Sequence, residues 1–191
     1  MRAELLFDQL NILREQIQPV MSELQADGTV KKRYDPDMCV DAVLDLLIMA
    51  YMYGDFDFNE QTNAAQTVDV DMMYASIYRD IAGENFAERV RKYADEGDIE
   101  GILRVAETET TRDYNTGAND AAVASGLNLR KTWVTMLDER VRATHEPLYG
   151  VTVGMDERFY AIDGDSARFP GDFEKPENNV NCRCAIVYSR A

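Results

Sequence analysis

Three groups of residues in this chain carry side chains suited to chemistry. In the first, Asp138, Arg140, Arg142 and His145 sit close together in the sequence. If residues 129–146 form a helix, Asp138 and Arg142 are four apart and Arg142 and His145 three apart, so the side chains meet on one edge. Pro147 disfavours helix at Glu146 and places His145 in the last turn, where the helix dipole favours the imidazolium form. A cationic His beside Arg suits an anion or phosphate. The same spacing also describes a structural Asp138–Arg142 ion pair with His145 as a C-terminal cap. Acid–base catalysis would need a second titratable group near His145.

The second group is Cys182-Arg183-Cys184. In a strand, Cys182, Cys184, Ile186 and Tyr188 share one face, with Arg183 on the other, turned outward or toward an acidic partner. A zinc site takes four ligands. The chain offers His145, Cys182 and Cys184, with Cys39 far away and Asp172 or Asp165 as possible fourths, and C-x-C is not the usual C-x-x-C spacing. Buried, inert thiols are the reading taken, with no cofactor expected and the metal set kept as the alternative. In the third group, Pro170-Gly171-Asp172, Pro fixes φ and Gly permits a positive φ, so the pair makes a turn that presents Asp172. No phosphate-binding Gly loop, nucleophile elbow or His-Glu-x-x-His motif is present.

The elements that must position these groups read as helices first and strands last. Leu6, Leu10, Leu13, Ile17 and Val20-Met21 form an amphipathic stripe over a helix from Ala3 to about Leu24. Asp35 and Pro36 suit the start of a second helix, apolar on nearly every side and ending at Gly54, with residues 54–66 as a loop. Helices over Val70–Ala82 and Glu84–Tyr93 follow, and Asp98 caps a longer one that Gly126 ends. Thr108, Thr110 and Thr111 weaken that helix in isolation, so it must gain its order from tertiary contacts. In the helix over residues 129–146, Trp133, Val134, Leu137 and Val141 make the apolar stripe. Val151–Val153, Phe159–Ile162 and Cys182–Tyr188 are β-prone, and Asp163-Gly164 is a hairpin turn. The fold class expected is α+β, a helical N-terminal region followed by a small mixed helix and strand module.

Charge and composition exclude some functions. The net charge is −15 over 191 residues, and residues 1–130 carry most of it, with 12 Lys/Arg against 25 Asp/Glu. Such a body repels duplex DNA. The longest apolar run, Leu46–Tyr53, is far too short to cross a bilayer, which needs about 20 residues. No signal peptide is visible at the start, and three Cys do not make a disulfide framework. A protein made in the host cytoplasm, with no membrane contact, is expected.

Lys131-Thr132-Trp133, Asp138-Glu139-Arg140-Val141-Arg142, His145, Gly150, Phe159, Phe169-Pro170-Gly171-Asp172 and Asn181-Cys182-Arg183-Cys184 occur in that order. The ordered set resembles the C-terminal domain of the phage head-morphogenesis family, the Mu F-like minor head proteins. The resemblance covers about residues 100–191, and no single motif in it is diagnostic. It implies a Mu F-like domain at 98–191, with Trp133, Asp138, Arg140, Arg142, His145, Pro170, Gly171, Asp172 and Arg183 as its motif. It also implies a helical region at 1–97 that docks on portal or capsid. Members are minor head proteins of tailed phages that associate with the portal and influence assembly and DNA delivery. The expected partners are therefore the portal protein, the major capsid protein or a scaffolding protein. Packaged DNA would be met through the C-terminal module alone, and the place in the virion would be inside the head near the portal. Some relatives fuse toxin domains to the module, and with seven residues after Cys184 no such fusion is expected. Glu107-Thr108-Glu109 resembles the family's Thr-Glu element and makes Glu109 the best partner for His145. The rival reading is then a metal-independent nuclease or phosphodiesterase, with Glu109 as base, His145 as acid and Arg142 on the phosphate. A host-derived interaction module is the third possibility.

Overall fold

The computed structural model describes the backbone of residues 2–81 and 83–191, and side chains from Asp8 onward. Leu6 of the first stripe and Ala82 therefore lie outside the described residues. Helix α1 spans Arg2–Gln16, and a hairpin of β1 (Met21–Leu24) and β2 (Val30–Arg33) follows it. The helix expected to reach Leu24 stops early because Pro19 lacks an N–H and disfavours helix at Gln18.

Helix α2 spans Pro36–Thr62, with Asp35 accepting from the N–H groups of Asp37 and Met38 and Pro36 in the first turn. It does not end at Gly54. A Cβ there would lie 1.9 Å from the carbonyl oxygen of Tyr114, so glycine lets two helices touch rather than stopping one. The acidic residues that read as loop have partners instead: Asn59, one turn further along α2, donates to Asp55, and Tyr114 donates to Asp57 from a later helix.

Helices α3 (Val70–Ile77), α4 (Phe86–Glu96) and α5 (Ile99–Ala124) complete the helical part. Asn85 and Glu88 form a reciprocal capping box on α4, and Gly97 ends it at φ 76°. Asp98 caps α5 as its sequence predicts. Gly97, just before α5, packs on the backbone of Lys32, just before α2. Farther along, Gln61 and Thr62 at the end of α2 and Asn115 past the middle of α5 bond to the last strand, so α2 and α5 run side by side in the same direction.

Residues 129–146 are not a helix. Leu129–Val134 is strand β3, the centre of an antiparallel sheet ordered β4-β3-β7, with β4 at Thr152–Gly154 and β7 at Ala185–Arg190. Thr132, Trp133, Val134 and Thr135 are β-branched or aromatic, and Leu129, Lys131 and Trp133 alternate inward with period 2. A two-stranded ribbon, β5 (Phe159–Tyr160) with β6 (Ser166–Ala167), turns at Asp163-Gly164, and α6 spans Pro176–Asn179. The α+β class is observed.

Two hydrophobic clusters result among the described residues. One joins α1 to α5 through Leu13, Val43, Leu47, Ile77, Phe86, Val90 and Ile102. The other gathers Trp133, Phe159, Phe169, Phe173, Ile186 and Tyr188 with Phe58 of α2 and Ala118, Ala121 and Ala122 of α5. Helices α2 and α5 therefore belong to both clusters.

Candidate functional site

The strand-like end of the chain puts Cys182 and Cys184 on the inner face with Ile186 and Tyr188, all buried. The two cysteines precede β7 rather than lying in it, and α5 fixes their backbone. Thr111 donates to the carbonyl of Cys182, and Asn115 to the carbonyl of Cys184 and from its other end accepts the N–H of Ile186. This is the tertiary order that the Thr-rich stretch of α5 required.

His145 comes from the irregular segment between β3 and the short 3-10 turn at Glu146–Leu148. It is 1% exposed, and its Nδ1 lies 3.7 Å from Cys182 Sγ and 3.6 Å from Cys184 Sγ. The edge of Trp133 meets its ring at 5.6 Å, and Phe173 stacks on it at 5.1 Å. Its Nε2 is buried without a hydrogen-bond partner among the described residues. The sequence places His145 beside Asp138 and Arg142 on one edge of a helix; it lies instead between two thiols and two aromatic rings.

The segment is pinned from outside. Arg142 donates to the carbonyls of Glu177 (2.7 Å) and Val180 (2.5 Å). Thr144 bonds Asn178, which donates to Asp163 and Asp165. Asp165 also takes the N–H groups of Ser166, Glu174 and Lys175. The expected Asp138–Arg142 pair does not form, because that spacing held only for a helix. Asp138 instead takes both arms of Arg183 at 2.7 Å, which holds its carboxyl below the usual range. Arg183 has thus turned to an acidic partner. Arg140 reaches Glu107 at 3.9 Å.

The thiols are electrostatically unequal. Cys184 donates to Cys182, and this bond, with His145 alongside, pulls Cys182 well below an ordinary thiol despite its burial. The same bond and burial push Cys184 up. One of two adjacent buried sulfurs is thereby kept as the proton acceptor.

Glu109 does not join them. It lies on another face of α5, 1% exposed, between Arg89 at 2.6 Å and Arg112 at 2.5 Å. Arg112 also meets Asp113, which burial pushes up to about 7. Gly171, at φ 92°, packs on Arg112, where a Cβ would come within 2.8 Å of the Arg112 Cα. The Pro170-Gly171 turn presents Asp172 to Arg168, Arg158 and Arg79. The structure therefore gathers His145, Cys182, Cys184 and Trp133 into one site and ties Asp138, Arg142 and Arg183 around it. Arg140 is joined to Glu107, while Glu109 and Asp172 are held in separate ion networks.

The roles of several polar residues of this architecture escaped the sequence reading: Thr111 and Asn115 on the cysteine carbonyls, Asp165 (weighed only as a fourth metal ligand) and Asn178 in the outer network, and Lys131. The last is fully buried, donates to the carbonyl of Met155 and lies over the Phe159 ring. Burial pushes its ammonium down to about 8. A lysine on the apolar face of a strand was the available signal.

Residues 71–187 match the family described as phage Mu protein F like protein. The chain belongs to the Mu F-like family. The matched span runs from the second residue of α3 through α5 and the whole candidate site to the middle of β7. Minor head protein GP7 of Bacillus phage SPP1 is 35% identical over 113 residues, which are 56% of this chain and 36% of that protein. An NAD(+)–arginine ADP-ribosyltransferase, EFV, of Enterococcus faecalis is 34% identical over 110 residues, 55% of this chain and 22% of that protein. The Mu F-like chain thus corresponds to about a third or less of each relative. No solved structure matches it significantly. Among the described residues no helix is long and apolar enough to cross a membrane.

Proposed function

We propose that this protein is a minor head protein of a tailed bacteriophage, associated with the portal inside the head and acting in assembly and in packaging or ejection of DNA. The observation that carries the reading is the Mu F-like match over residues 71–187, together with the likeness to minor head protein GP7. The surface is consistent with a protein partner. Met49, Met52, Tyr53 and Phe56 are exposed at three- and four-residue spacing along α2 and form one apolar stripe on an acidic half. That stripe is the docking surface for the portal, with capsid or scaffolding protein as the other candidates. The same acidity disfavours DNA there, which leaves the C-terminal module as the part that can meet packaged DNA.

No observation favours the nuclease reading. Glu109 is occupied by Arg89 and Arg112, and Arg142 by backbone carbonyls, so an open cleft shared with His145 is not assembled.

The test is co-purification of the full chain with the portal protein of its own phage, read by size exclusion with light scattering. A stable complex is expected, weakened about tenfold or more by Met52→Glu with Phe56→Glu. A chain that elutes alone as a monomer overturns the docking claim. A complex indifferent to the double variant moves the docking surface off α2.

A further inference from the structure

The contact between His145 and the two cysteines is poorly explained by hydrogen bonding alone. An imidazole nitrogen carries one proton or one lone pair, yet Nδ1 faces two sulfurs at nearly equal distance. All three donor atoms lie within 4.8 Å of one another. A small ion at their centre satisfies all of them. With Zn–S at about 2.3 Å and Zn–N at about 2.0–2.1 Å, a tetrahedral angle sets nitrogen and sulfur about 3.5 Å apart. The observed separations are 3.6 and 3.7 Å.

We propose that His145 Nδ1, Cys182 Sγ and Cys184 Sγ bind a zinc ion whose fourth ligand is a water molecule. The space for that water is a cavity of about 10 Å³ beside the three ligands, bordered by Met136, Arg140, Arg142 and Asn181. A volume of about 10–15 Å³ is what one water requires. The donor set, two thiolates and an imidazole, selects zinc over hard cations such as magnesium or calcium. Each thiol gives up its proton to solvent as its Zn–S bond forms, and two thiolates with one Zn²⁺ are neutral overall. Neutrality suits a site walled by Trp133 and Phe173, where a lone charge would be costly.

The surroundings hold the ligands in place. Thr111 and Asn115 fix the carbonyls on both cysteines, and Arg142 anchors the His145 segment to the segment that leads into Cys182. The ion would staple a stretch of irregular chain to the C-terminal strand. The metal site is independent of portal docking, and its test does not involve the portal.

The experiment begins with the full chain purified without added metal or chelator, its zinc measured by plasma mass spectrometry. About one zinc per chain is expected, falling below about a tenth in Cys182→Ser and His145→Ala. Cys39→Ser, in the helical cluster, should keep its zinc. Because the first two variants remove buried side chains, a second measurement uses wild-type protein, stripped of metal and titrated with Co²⁺. Intense sulfur-to-cobalt absorption with tetrahedral d–d bands, abolished by one equivalent of Zn²⁺, is the expected result. A metal-free wild type that gives only the weak spectrum of octahedral cobalt overturns the proposal. A freshly purified chain two hydrogen masses light, with Cys182 bridged to Cys184, also overturns it.

Discussion

The two hydrophobic clusters are built in different ways. Around Val43, Leu47, Ile77 and Val90, regular helices with local caps bury apolar side chains against one another, and few buried polar groups intervene. Around Trp133, regular structure is short, and irregular segments are held by side chains that bond to backbone: Thr111, Asn115, Arg142, Asp165 and Asn179 all do so. The first kind of order is cooperative along each helix and tolerant of modest change. The second depends on particular pairs, and an unpaired buried polar group costs about 1–3 kcal/mol. The module that carries the candidate site is therefore the region where a single polar substitution matters most.

The clusters are joined through α2 and α5, and the largest predicted effect tests that joint. A Cβ on residue 117 would lie 2.1 Å from the carbonyl oxygen of Tyr51, backbone against backbone. Gly117→Ala should cost about 3 kcal/mol or more, with one thermal transition lowered for both regions. Two separate transitions in circular dichroism, one of them unshifted, would show that the halves fold independently and break the comparison.

Next is the ion network on the joint. Glu109→Gln leaves Arg89 and buried Arg112 short of their shared carboxylate, and the expected loss is about 3 kcal/mol in urea unfolding. A neutral outcome would mean that Asp113 alone compensates Arg112.

Smaller effects are expected from pH, with opposite signs in two windows. Asp113 holds its proton in the folded state up to about pH 7, whereas the unfolded chain releases it near 3.8. Stability from this residue is full below the lower value and declines as pH rises toward the upper one. Lys131 loses its proton near pH 8 when folded and near 10.5 when unfolded, so its contribution rises with pH across that interval. Asp113→Asn should flatten the first slope of stability against pH and Lys131→Met the second. Unchanged slopes would place the titrating groups elsewhere.

The same contrast explains what could be read from residues alone. The starts of α2 and α5 were legible at Asp35, Pro36 and Asp98, since a cap is a local arrangement. The common face of Cys182, Cys184, Ile186 and Tyr188 followed from the two-residue period. The position of His145 did not. Its segment has no regular period, and its place is set by bonds to residues 177–180, more than thirty positions away. The helix expected at 129–146 failed because the strand's inward row includes Lys131, which hides the alternation. Gly54 misled for a related reason: a glycine that permits close approach looks the same as one that ends a helix.

The close approach of α2 and α5, Gly54 against Tyr114 and Gly117 against Tyr51, also acts as a gauge of length. With both backbones in contact at one point, α5 can slide along α2 only by whole steps, and one helical turn is about 5.4 Å. Asn115 stands two residues from that point, and Thr111 six. Slippage by a turn would carry both away from the carbonyls of Cys184 and Cys182. Where the backbone beside the two sulfurs is gripped is thus measured out by two glycine hydrogens, one on each helix.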